Sequence, residues 1–422
     1  MVSRRSKPEI VLSVRPLRIA ATGFVSDQAG SVASANAVFL RELLRQGHRI
    51  DFFCKPSFVD PRPAIAGSPG SQNLSLIDCT NPWGDGLRRK LSGCRIGILA
   101  RIGNQVDVMT YYRALGAALR SSHEPEIELW LGDWARRHGE RPVVSFVQGP
   151  PGTDARSVLR HRELIERLAG RSTYRKLAVY ARWRLGAGLP DFRKSDHIIL
   201  GSQWSVGHMA ERYRIDRERL HAIPYPIDLE AFRPSQTPRP PHQRLRILWL
   251  GRFVPRKRLD LFLEGLAVAI RQGIDVEAWV IGKSGFVPNY ERLIKEFAFQ
   301  DRLAYREELP RLEVPSLMSD VDVLVQPSDE ENFGSSVAEA LACGVPAIVG
   351  ATNGTGDYLC ERSMRLPDDD PNSLATAISE FSQRKIQGSL IDRMPTRLVA
   401  ERLFSPEALT RKLWDCLQLA VG

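Results

Sequence analysis

Seven residues separate Glu331 from Glu339, and between them Phe333-Gly334-Ser335 marks a place where a loop enters a helix. The first amides of a helix lack internal partners and lie at the positive end of its dipole. Gly334 and Ser335 carry little bulk to hold a phosphate away from them. Carboxylates repel phosphate, so Glu331 and Glu339 read as acceptors for hydroxyl groups. A molecule bearing both phosphates and polyols suits this chemistry. The plain alternative is that Asp329, Glu330 and Glu331 only complement the helix dipole and that Glu339 is a solvated helix residue.

The elements that must position these groups are legible around them. Residues 321–325 (VDVLV) form a short β-branched run bounded by Pro327 and acidic residues, which predicts a buried strand. From 335 to 343, Val337, Ala340 and Leu341 share one helical stripe, and Gly344-Val345-Pro346 is a stop signal. Residues 346–349 predict the next buried strand.

The register E-N-F-G-x-x-x-A-E-A-L-A-C-G-V-P resembles the E-x7-E motif of retaining glycosyltransferases of family 4, GT-B-fold enzymes that use nucleotide sugars. The resemblance implies donor contacts at Glu331, Asn332, Phe333, Gly334, Ser335 and Glu339, with Glu331 on sugar hydroxyls and Glu339 on the ribose. Residues 245–250 predict a strand, and the turn after it, Gly251 to Lys257, carries Arg252 and Lys257, which resemble the family's basic pair on the diphosphate. Arg can clamp two phosphate oxygens while Lys adds a point charge. Arg256 and Arg258 are then read as solvated bystanders. The strand at 276–282 ends in Gly282-Lys283-Ser284-Gly285, similar to the family's nucleotide-side loop, and the 352–357 loop is expected over the donor.

The first half opens with a strand at 17–21, a loop rich in Gly, Ser and Ala, a helical stripe through Val38, Phe39, Leu43 and Leu44, and a strand at 49–54. This βαβ start implies a parallel sheet with ligands at the carboxyl ends of its strands. By resemblance, Gly30 is the glycine that approaches the diphosphate, with Gly23 behind it. Residues 56–93 show no clear periodicity. Residues 94–100, a helix at 106–120 and a strand at 127–131 resume the alternation. The strand at 143–147 ends in Gln148-Gly149-Pro150-Pro151-Gly152, where many relatives carry a histidine and this chain has none. Gln148 or Asp154 is the candidate for that part of the cleft, a simple Pro-Gly turn the alternative. Residues 195–204 resemble the family's strand and serine turn, which puts Ser202 on the acceptor side; His197 reads as a packing residue. The expected organisation is an acceptor domain (1–233), a proline-rich linker (234–244), a donor domain (245–402) and a last helix (403–422) packing back on the first domain.

Composition bounds the class. At 422 residues, 43% hydrophobic and 26% charged, the chain reads as two soluble domains. No apolar run approaches the roughly 18 residues of a membrane span, and the start lacks the apolar core of a signal peptide. Six scattered cysteines suggest reduced thiols in the cytoplasm, and Asp368-Asp369-Asp370-Pro371 reads as a helix start rather than a metal site. The formal charge of +10 fits a phosphate-bearing donor or an anionic surface. Residues 151–195 hold eleven Lys or Arg against four Asp or Glu, either a solvated basic face or a surface meeting anionic lipid at the inner membrane face.

These features together predict an α/β protein of GT-B type, two Rossmann-like doubly wound domains facing across a cleft. Its expected activity is retaining, metal-independent transfer of a hexose-type sugar from a UDP- or GDP-sugar to a hydroxyl on a sugar or lipid-linked acceptor. A catalytically silent scaffold of the same fold is the competing class. A nicotinamide enzyme would need G-x-G-x-x-G with an acidic residue about 20 positions on, which neither half supplies. Nucleic-acid binding explains the charge but not the two glutamates, and no nucleic-acid partner is expected.

Overall fold

Segments such as IELWL and VLVQ are apolar at nearly every position, the pattern of strands covered on both faces of a parallel sheet. A computed structural model of the chain describes residues 15–27, 31–92, 97–136, 139–235 and 243–422. Its amino-terminal unit runs β1 (Arg18–Gly23), α1 (Ser31–Arg45), β2 (Arg49–Cys54), α2 (Arg62–Ile65), β3 (Leu74–Asp78), α3 (Pro82–Ser92), α4 (Gly97–Ser121), β4 (Ile127–Leu131), β5 (Val143–Phe146), α5 (Thr153–Arg160), α6 (Arg162–Leu185), β6 (His197–Leu200), α7 (Gln203–Tyr213) and β7 (Leu220–Ala222). The second unit runs β8 (Leu245–Leu250), α8 (Leu259–Arg271), β9 (Val276–Ile281), α9 (Arg292–Lys295), β10 (Leu303–Arg306), α10 (Val314–Asp320), β11 (Val323–Gln326), α11 (Ser335–Ala342), β12 (Ala347–Val349), β13 (Met364–Arg365), α12 (Pro371–Ile386), α13 (Met394–Phe404) and α14 (Pro406–Val421).

Every strand pairing is parallel, in the orders β3-β2-β1-β4-β5-β6-β7 and β10-β9-β8-β11-β12-β13. Both sheets therefore reverse direction of growth once, between β1 and β4 and between β8 and β11. Such a switch point opens a crevice at the carboxyl ends of the strands. One glycine at the carboxyl end of a strand in each sheet enforces close approach to the neighbouring strand. A Cβ on Gly23 would lie 1.9 Å from the Leu131 carbonyl oxygen, and one on Gly282 would lie 1.9 Å from that of Gly251.

The two units share their cores. Helix α13 packs on α11, and α14 crosses back to the first unit, where Leu409, Leu413, Trp414 and Leu417 join the cluster built on β1, β2 and α1. The single helix expected over 403–422 is broken by Ser405, whose hydroxyl caps the next helix, and Pro406, which starts it. In the other direction, α5 and α6 sit between β5 and β6 in the chain yet share an apolar cluster with β8, α8 and α12 of the second unit. Residues 97–100, read as a return to strand, are helical and open α4; Cys94 and 236–242 of the linker lie outside the described residues. The unassigned 56–93 stretch contains the edge strand β3, whose alternating Leu-Ser-Leu-Ile-Asp is half exposed. Asp370 caps α12, with Pro371 at its first position.

At the joint between the units, Phe333 meets Tyr225, Tyr358 and Phe404 with ring centroids 5.1, 6.0 and 5.6 Å apart, and the Ile227 amide donates to the Phe404 carbonyl. Phe404→Ala is expected to cost about 3–5 kcal/mol, the range for emptying a buried aromatic site. Denaturant unfolding of the two proteins checks this.

Candidate functional site

The loop after β11 begins with Asp329, Glu330 and Glu331, three adjacent carboxylates that are all buried. Like charges this close are tolerated only if each is compensated, and each points to a different set of cations. Asp329 accepts from Arg160 at 2.9 Å and pairs with His161 at 2.9 Å; Glu330 accepts from Arg156 at 2.6 Å and Arg160 at 2.7 Å. Glu331 binds Arg256 at 2.7 Å and also Lys257, while Arg256 reaches Asp154 at 2.6 Å. Glu330 holds a left-handed backbone, φ 48°, which costs a non-glycine residue roughly 1–2 kcal/mol. Bonds from α5 hold it there. Burial alone would raise the Glu331 pKa, but the attraction of Arg256 and Lys257 outweighs it and holds the carboxyl down at about 2.

Beyond the acidic run the chain stays at the interface. Asn332 accepts from the Gly201 amide at 2.9 Å and donates to the Tyr225 hydroxyl at 3.1 Å. Gly334 precedes α11 where a Cβ would fall 2.7 Å from Gln326 Oε1. Ser335 opens the helix with its hydroxyl buried and, among the described residues, without a hydrogen-bond partner. One turn on, Glu339 accepts from Arg311 at 2.6 Å, and burial outweighs that attraction so that its carboxyl is pushed up. The two glutamates thus sit in opposite environments, Glu331 held ionised and Glu339 drawn towards neutrality.

Ser335, Glu339 and Arg311 line a cavity of about 440 Å3 whose other wall comes from the first unit, with Asp27, Ser34 and Arg41 from the β1–α1 region and residues of the 225–232 segment. That size is within the roughly 300–1,000 Å3 of small-molecule sites, and its place between the units at a helix start suits an anionic polyol.

Several expected roles change on contact with this geometry. Arg256 and Arg258 are not solvated bystanders: Arg256, part-buried, joins Asp154 to Glu331, and Arg258, buried, pairs with Asp369 at 2.8 Å and Asp260 at 3.2 Å. Arg252 is exposed and makes no side-chain bond among the described residues, while Lys257 is engaged by Glu331. Glu339 is no solvated helix residue, being 2% exposed. Ser202, expected on the acceptor side, is fully buried, and its hydroxyl caps α7 by accepting from the Ser205 amide. Asp154 is spent on Arg256, and Gln148 remains exposed at the end of β5. The 352–357 loop packs on the first unit, with Asp357 accepting from the Trp204 amide at 3.1 Å. Gly30 lies outside the described residues. His197 bonds His221 across two neighbouring strands at 2.9 Å. Arg156, Arg160, His161 and Arg311 were not singled out: the first three belong to a basic stretch read as a surface, and no sequence signal ties them to partners about 170 positions away.

Comparison with known proteins bears on this site. Residues 234–393 match the family described as Glycosyl transferases group 1. This group 1 segment contains β8 to β13, the acidic run, α11 and both glutamates. Among curated proteins, the chain is 25% identical over 176 residues to a D-inositol 3-phosphate glycosyltransferase of Segniliparus rotundus, covering 38% of each chain. It is 24% identical over 265 residues to a GDP-mannose-dependent alpha-(1-6)-phosphatidylinositol dimannoside mannosyltransferase of Mycobacterium tuberculosis, covering 60% of this chain and 62% of that one. The matches thus span about two fifths to three fifths of those relatives' length. Among solved structures, sucrose-phosphate synthase from Thermosynechococcus elongatus aligns with a TM-score of 0.66 at 18% identity, covering 96% of this chain and 98% of that one. Anabaena HepE in complex with UDP and glucose aligns with a TM-score of 0.61 at 14% identity, covering 96% and 100%. The fold is GT-B.

The low Glu331 pKa has a sign that can be measured. Its stabilisation is fully present above the ordinary value of 4.5 and is lost as pH falls towards 2, a contribution on the order of 3 kcal/mol. Denaturant unfolding of wild type and Glu331→Gln is expected to show a stability gap at pH 7 that narrows steadily below pH 4.5.

Proposed function

We propose that the protein is a retaining glycosyltransferase that moves a hexose-type sugar from a nucleoside diphosphate to an acceptor hydroxyl. The observation that carries this is the cavity between the units, where Ser335 at a helix start, Glu339 and Arg311 converge. Beside it, Glu331 gathers two cations from the turn after β8. The group 1 match and the relatives named as glycosyltransferases support the same reading.

In this reading the donor ribose meets Glu339, whose raised pKa suits a hydrogen bond with a hydroxyl, and the diphosphate lies at the amino end of α11. Arg252, free to swing, and Lys257 take the phosphates. Arg256 keeps Glu331 charged and oriented towards the sugar. Cleavage leaves negative charge on the diphosphate, so these cations and the helix amides stabilise the transition state more than the ground state. Retention follows from attack on the face the leaving phosphate vacates, the phosphate itself accepting the incoming proton. No metal enters the scheme.

Thermal-shift titration with UDP, GDP, ADP and their sugars tests the site. One nucleotide series is expected to stabilise the wild type, and Arg252→Ala or Glu339→Ala to weaken its binding about tenfold to a hundredfold, the worth of one charge-assisted hydrogen bond. Hydrolysis of the donor without acceptor separates an enzyme from a silent scaffold. Unaltered nucleotide binding in both variants would sink the assignment.

The exposed face of α6 supports a peripheral membrane role on the cytoplasmic side. Val179, Tyr180 and Trp183 stand out at 67, 60 and 53% exposure, among the exposed Arg175, Lys176 and Arg182. Such a face suits the boundary between anionic headgroups and acyl chains, each nearby cation contributing about 1 kcal/mol. Co-flotation with vesicles containing phosphatidylglycerol, but not with phosphatidylcholine alone, is the expected result. Trp183→Ala together with Lys176→Glu is expected to abolish it.

A further inference from the structure

At the switch point of the first sheet a separate pocket of about 250 Å3 opens over the carboxyl ends of β1, β2 and β4. Its walls are aromatic. Trp130 forms the base, Tyr111 and Tyr112 come from α4, and Phe24 and Phe58 stand at the mouth. Phe24, Phe58 and Val108 are all exposed, so water meets apolar surface around this opening. Gly23, the glycine squeezed against Leu131, borders the same pocket.

What the pocket lacks is free polarity. Lys55, which borders it, is 1% exposed and held by Asp85 and Asp107 at 2.8 Å each, with the Phe58 ring 4.7 Å from its ammonium. Asp133 accepts from the Tyr112 hydroxyl at 2.7 Å and from the Trp134 amide at 2.8 Å, and Arg136 covers the Tyr112 ring at 4.1 Å. Burial pushes the Tyr111 hydroxyl's pKa up, with Thr22 beside it. A saccharide presents several hydroxyls that each need a partner, and here the charged groups, Lys55 and Asp133, are already committed to other residues. A flat apolar ring system needs only surface, and offset or edge-on aromatic walls supply it.

We propose that this pocket binds the planar, apolar part of an acceptor, so that the hydroxyl receiving the sugar is carried on an aromatic or polycyclic skeleton rather than on a simple saccharide. The inference rests on the glycosyl-transfer reading for its role, though not for the binding itself. Position supports it. The segment after β1 contributes Gly23 and Phe24 to this pocket and Asp27 to the cavity at Glu339, so one short stretch of chain borders both. The volume is below that of a whole drug-sized site, matching one ring system at the end of an acceptor.

Isothermal titration of the full chain with 1-naphthol and 4-methylumbelliferone, against methyl α-D-mannoside, tests it. The ring compounds are expected to bind saturably and the glycoside not at all. Val108→Arg and Phe58→Ala, both at exposed positions where the fold tolerates change, are expected to weaken ring binding by about tenfold or more while leaving nucleotide stabilisation as in wild type. Failure of both ring compounds to bind, or binding indifferent to both variants, overturns the proposal. Ring binding that is lost in the variants, in a protein that no nucleotide stabilises, upholds the pocket and removes the transfer reading instead.

Discussion

Three consecutive carboxylates cannot be buried side by side unless each is neutralised, and that constraint organises the molecule. Asp329, Glu330 and Glu331 turn to cations from α5 and from the turn after β8, with His161 bonding Asp329 as well. Breaking one such pair leaves a buried charge uncompensated, which is far more costly than the pair is stabilising. The network therefore works as a geometric specification. It fixes where α5 meets the second unit, holds Glu330 in its left-handed backbone, and sets Glu331 between two cations.

Around this charged seam the contacts are apolar and reciprocal. The second unit sends α14 to the first, and the first unit sends α5 and α6 to the second. Phe333 is one residue from Asn332 and two from Glu331, so the aromatic joint and the ionic seam are tied together by a few residues of loop. A ligand in the cavity at Ser335 and Glu339 touches both units at once. Binding there is coupled to their relative position through the same residues that hold them together.

Much of this was legible beforehand because it is local. Period-2 and period-3.6 patterns, stop signals such as Gly344-Val345-Pro346, and the Asp370-Pro371 helix start act over a few residues, and they yielded the parallel strands, α11 and the cap of α12. The half-exposed β3 escaped because an edge strand in a Pro- and Gly-rich stretch has no continuous apolar run. The break at Ser405 was hidden inside an amphipathic pattern that continues through both α13 and α14.

The sequence by itself determined the two parallel-sheet units and the register of Glu331, Ser335 and Glu339 around one helix start, since each depends on residues close together in the chain. Which charges meet was decided by the tertiary structure. Arg256 and Arg258 look like equivalent surface cations until the fold pairs Arg256 with Glu331 and buries Arg258 beside Asp369, and Ser202 looks available until it caps α7. The aromatic pocket at Trp130 likewise draws on β1, β2, α4 and β4, which meet only at the switch point of the sheet. Long-range pairing of this kind has no periodicity to betray it, because burial and electrostatic compensation act on neighbours in space and not on neighbours in sequence.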